Sequence, residues 1–152
     1  MVRPTRAVLF LVCTALLTGL TNPVEPQAFR LTGGARLARI YDAVLDARFD
    51  AADALVSTQC SGSASRDVPG DSAPPEACDL LRAVALWWRI ELDPESRAID
   101  ARFEQAITHA ISRLDAWTAR QPDEAEAWFY LGGAYGARAQ WRVLRGERLA
   151  GA

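Results

Sequence analysis

The chain has 152 residues, half of them apolar and 24% charged, with a net charge of −2. That composition excludes wholesale disorder and supplies enough apolar side chains for one core. The weak negative charge also lacks the strongly basic footprint of a nucleic-acid binder, and the complete absence of lysine is a compositional bias without functional content.

Arg3 and Arg6 precede an uncharged, mostly apolar run from Ala7 to Leu20, and the turn-forming, polar stretch Thr21–Gln27 follows it. This order is the layout of a secretory signal. The run of 14 residues is shorter than the roughly 20 that cross a bilayer as a helix. The expectation is therefore an exported chain, periplasmic or secreted, with no permanent membrane span. Residues 1–28 are assigned to the signal peptide and a short linker, and Cys13, inside the apolar run, belongs to the signal.

Residues 29–57 read as a first helical hairpin. Leu37, Ile40, Tyr41, Val44 and Leu45 recur at helical spacing while Arg36, Arg39, Asp42 and Asp46 occupy other faces. After a break near Arg48, Phe49, Ala52, Leu55 and Val56 predict a second short helix. Residues 58–77 switch to Ser, Gly, Pro, Gln and Asp, a composition that predicts a surface loop. Cys60 and Cys78 bracket it. In an oxidising compartment a disulfide between them is expected, and closing such a loop is worth about 3 kcal/mol. The alternative is two unpaired thiols on adjacent helix ends.

Residues 78–121 read as a second hairpin. Leu80, Leu81, Val84, Leu86, Trp87, Trp88 and Ile90 are apolar on more than one face, as in a helix sandwiched between neighbours. Asp93 and Pro94 interrupt the segment. Ile99, Phe103, Ala106, Ile107, Ala110, Leu114 and Trp117 then follow at the most regular helical spacing in the chain. Gln121 and Pro122 end that helix, since proline disfavours helical geometry in the residue before it. Asp123, with Glu126 three residues on, predicts the cap of a new helix that opens a third hairpin over 122–152.

The new helix carries Trp128, Leu131, Gly132 and Tyr135, which together resemble the W-x2-L-G-x2-Y pattern of the first helix in a tetratricopeptide repeat. Ala52 and Val56 are similar to the small and aromatic positions of the family's second helix, and Ala83 to Trp88 resembles another first helix. The resemblance covers roughly Ala35 to the end and is specific around Trp128–Tyr135. It implies an all-α fold of stacked antiparallel helical hairpins, with Trp128, Leu131 and Tyr135 packed as one ridge and Gly132 admitting a close partner helix. It further implies a scaffold, similar to divergent exported bacterial repeat proteins, that binds a peptide or protein partner in a helical groove.

Repeat arrays close on a helix with a polar outer face, and none is evident after Tyr135. Trp141, Leu144 and Leu149 are left without a following helix, so the expectation is an incomplete array, or an end covered by a partner or by self-association. Arg138, Arg142, Arg145 and Arg148 recur at steps of 4, 3 and 3 and, with Trp141, form a candidate partner-binding surface against a solvated basic face. No catalytic, metal-binding or cofactor-binding constellation is visible. His109, the single histidine, has no Ser, Cys or second His at motif spacing, and the carboxylates cluster at helix ends where they complement the macrodipole. The chain is expected not to be an enzyme. Two other readings stay open: a structural subunit of an envelope assembly, and an accessory domain of a longer enzyme.

Overall fold

The computed structural model describes residues 30–60 and 72–147. The signal segment with Cys13, positions 61–71 of the expected loop, Arg148 and Leu149 lie outside the described residues. Within them the fold is all-α, with five helices and no strand: α1 (Gly34–Leu45), α2 (Phe49–Gln59), α3 (Pro75–Leu92), α4 (Asp100–Arg120) and α5 (Ala125–Leu144). Among the described residues no helix is long and apolar enough to cross a membrane.

Local chemistry sets most of the boundaries. Pro75 takes the first position of α3, where its missing N–H would have had no helical partner. α2 meanwhile continues to Gln59, so the expected 58–77 loop is shorter at both ends. α4 stops at Arg120, directly before Gln121 and Pro122. The cap of α5 departs from expectation: Glu124 caps it, its side chain accepting from the Glu126 N–H, and Asp123 stays in the turn. Glu126 is thereby released for a distant partner described below.

α3 packs against all four other helices, which accounts for its apolar character on several faces. Phe103 of α4 is fully buried between Trp87 of α3 and Trp141 of α5, with ring centroids 5.9 and 5.5 Å away. Trp141 is therefore not a surface anchor. Its indole points inward onto Phe103 and is only 6% exposed.

Arg145 departs from the sequence reading in the same way. Its Nη1 donates to the Pro94 carbonyl at 2.6 Å, and its Nη2 donates to the Ser96 carbonyl at 2.8 Å and to Asp100 Oδ1 at 2.7 Å. The side chain is 5% exposed, so it closes the α3–α4 turn and cannot meet a partner. Burial pushes the Asp100 carboxyl up, but hydrogen bonding and charge from Arg145, the nearby Trp141 indole N–H and the Arg97 charge outweigh this and hold it below its ordinary value.

Cys60, at the end of α2, and Cys78, in the first turn of α3, are joined by a disulfide across 18 residues of sequence. Arg89 adds a second tie between these helices, lying 5.0 Å over the Phe49 ring and 2.7 Å from Asp53.

Reducing the Cys60–Cys78 bond should lower unfolding free energy by about 3 kcal/mol, the chain entropy regained by a loop of this size; parallel urea titrations with and without reductant measure it. Asp100 sets an acid limit. Between its depressed folded pKa and its ordinary value of 3.8, the unfolded chain holds a proton that the folded chain lacks, so stability rises with pH through that window and is lost as pH falls. An Asp100→Asn variant should be less stable at neutral pH and show a shallower loss below pH 3.8, read from denaturation midpoints at stepped pH.

Candidate functional site

The starting ends of the odd-numbered helices lie together. Gly33, which caps α1, has φ +64°, and a Cβ built there would sit 2.5 Å from the backbone nitrogen of Ala73, two residues before α3. Only glycine fits so close to that strand of backbone with a left-handed φ. Beside it, Thr32 donates through its N–H to Glu126 Oε1 at 2.8 Å and through its hydroxyl to Glu126 Oε2 at 2.7 Å. This buried carboxylate joins the segment before α1 to the first turn of α5 across 94 residues of sequence.

Between these pinned ends and the bodies of the helices a groove opens. α1 and α5 both pack on α3 but not on each other, leaving an apolar groove of about 620 Å³. Leu37 and Tyr41 line it from α1, Leu80, Leu81 and Val84 from α3, and Phe129 and Tyr130 from α5. Gly34, Ala38, Ala77 and Gly133 widen it, and Leu31 also lines it. No charged or amide side chain contributes, and the Tyr41 and Tyr130 hydroxyls are the only polar groups on the lining side chains. Tyr41 and Phe129 are exposed, on opposite walls. Burial pushes the Tyr130 phenol up, and the Glu126 charge beside it adds to the shift, so this hydroxyl stays neutral.

The opposite face of α3 is polar. Arg82 pairs with Asp79 at 2.7 Å, Arg113 of α4 reaches Glu76 at 3.3 Å and Asp79 at 3.4 Å, and Arg120 reaches Glu76 at 3.4 Å. His109 is exposed, with Nε2 3.6 Å from Asp79 Oδ2. The Arg113 and Arg120 pairs bind α3 to α4, and among the described residues no group of three His, Cys, Asp or Glu side chains is arranged to hold a metal ion.

The residues that carried the family resemblance are distributed differently from expectation. Leu131 is buried in the core, but Trp128 is 52% and Tyr135 43% exposed, and a Cβ at Gly132 would meet nothing within 4 Å. They do not form one packed ridge. At about 100° per residue Leu131 turns inward, whereas Trp128, Gly132 and Tyr135 project from the side of α5 on which no described helix lies. The Trp128 indole N–H donates to the Pro122 carbonyl at 2.8 Å, which anchors the ring over the preceding turn. Of the arginine stripe, Arg138 lies 4.9 Å over the Tyr135 ring and Arg142 pairs with Glu147 at 3.5 Å. With Arg145 buried, the stripe reduces to Arg138 and Arg142 among the described residues.

Sequence reasoning missed Thr32 and Glu126 as a pair, and Tyr41, Phe129 and Gly133 as groove residues. Phe129 carried a usable signal: a large apolar side chain next to, rather than on, the signature positions of its helix. No family model matches the chain, and neither a curated protein nor a solved structure is significantly similar to it.

Replacing Gly33 by Ala should cost about 2 kcal/mol of stability, from left-handed backbone strain and the clash with Ala73. Urea denaturation monitored by circular dichroism would read this as a lower midpoint with an unchanged slope.

Proposed function

We propose that this chain is an exported scaffold of the tetratricopeptide-repeat kind, not an enzyme, which receives the apolar face of a peptide or protein partner in the groove between α1 and α5. The observation that carries the reading is the groove itself. Its volume lies in the range of functional binding clefts, about 300–1,000 Å³, and its lining offers aliphatic and aromatic anchors without a charge. An amphipathic helix laying leucine- or phenylalanine-rich positions along α3 would bury this surface, while Tyr41 and Phe129 close on it from the two walls.

Two observations support the wider reading. The Trp128, Leu131, Gly132 and Tyr135 spacing matches the repeat pattern, and α1, α3 and α5 begin along one edge, as the first helices of stacked hairpins would. The exposed position of Trp128 and Tyr135 lends the family no support, so the proposal rests on the groove and not on that ridge. The Cys60–Cys78 bond suits an oxidising compartment. A second reading, a structural subunit of an envelope assembly, draws on the uncovered side of α5.

Gly133→Leu tests the groove. The nearest atom to a Cβ there is Leu80 Cδ2 at 3.6 Å, an ordinary contact, so the fold admits a Cβ and the rest of the leucine extends from it into the groove. Peptides selected by phage display on the full chain should bind the variant at least about tenfold more weakly, a loss of about 1.4 kcal/mol, by calorimetry. Arg102→Ala, in α4 and grouped with Asp79 and Arg82 on the side of α3 away from the groove, should bind them unchanged. Equal affinity for the wild type and Gly133→Leu would exclude the groove as the binding site.

A further inference from the structure

The outer side of α5 is a helix-packing seam with no occupant among the described residues. Ala125, Trp128, Gly132, Tyr135, Ala139 and Arg142 recur at alternating steps of 3 and 4, the spacing with which one helix meets another side by side. The seam points away from Ala127, Leu131, Ala134 and Trp141, which pack inward, and at half-buried Ala139 it borders a cleft shared with Trp87 and Glu91 of α3. Trp128 and Tyr135, its two large side chains, are both exposed.

The order of large and small residues identifies the occupant. Reversing the seam about the midpoint between Gly133 and Ala134 brings Trp128 opposite Ala139, Tyr135 opposite Gly132, and Arg142 opposite Ala125. Each aromatic ring thus meets a small residue, and among the described residues nothing lies within 4 Å of a Cβ built at Gly132. Charge follows the same symmetry. The acidic turn Asp123–Glu124 precedes one end of the seam, and Arg142, 3.5 Å from Glu147, stands at the other. A two-fold axis places the acidic turn of each chain beside Arg142 of its partner, the self-complementarity that an isologous interface requires.

We propose that a second copy of this chain docks antiparallel along the outer side of α5, with Trp128 of each protomer seated on Ala139 of the other and Tyr135 on Gly132. The interface is separate from the binding groove, whose α5 residues Phe129, Tyr130 and Gly133 lie on another side of the helix. A dimer of this kind leaves both grooves open and presents two partner sites.

Sedimentation equilibrium of the full chain over a concentration series tests the proposal. The wild type should show a reversible monomer–dimer equilibrium. Gly132→Leu has open space in the monomer and removes a helix-weakening glycine, so it should fold normally; by filling the seat of the partner's Tyr135 it should weaken dimerisation at least tenfold. Trp128→Ala should do the same, and Gly133→Leu should dimerise like the wild type. A wild type that stays monomeric throughout would overturn the proposal. Dimerisation that survives Gly132→Leu, or a species larger than a dimer, would also overturn it.

Discussion

A helix that is apolar around most of its circumference cannot be stable until every side is covered, and α3 imposes this constraint on the whole molecule. Cys78, Leu80, Ala85 and Leu86 are all buried, yet at about 100° per residue they point in several directions, so neighbours are needed on several sides at once. α1 and α2 cover one flank, α4 covers another through Phe103, and α5 completes the enclosure, its Trp141 packed on Phe103. The groove is what this enclosure leaves open. Small side chains at Ala77 and Gly133 and the separation of α1 from α5 keep part of α3 accessible to an apolar guest.

Periodicity made the helices legible where one face dominates. Phe103, Ile107, Ala110 and Leu114 repeat along α4 and are all buried, because a single stripe admits only one orientation. α5 is apolar nearly all round, so composition could not choose which side faces inward. The family resemblance placed Trp128, Leu131 and Tyr135 on one packed ridge; the fold instead turns Ala127, Tyr130, Leu131, Ala134, Ala137 and Trp141 inward. Arg145 was misread for a related reason. Its spacing with Arg138 and Arg142 suggests a basic stripe, but the carbonyls of Pro94 and Ser96 converge on it only after the chain has folded.

The groove was the least legible feature. It depends on three helices from distant parts of the sequence, aligned by contacts that periodicity does not encode. Thr32 and Glu126 are 94 residues apart, and in sequence Glu126 looks like an ordinary first-turn carboxylate. Gly33 similarly looks like a generic helix-start glycine until the Ala73 backbone is found against it. Such residues join one helix start to another, and their importance is set by the neighbour and not by the local pattern.

The bond between Cys60 and Cys78 also decides what a cut in the chain between them would do. Hydrolysis of a peptide bond there would leave α2 and α3 covalently joined through sulfur, and the two pieces would part only when a reductant opened the bridge.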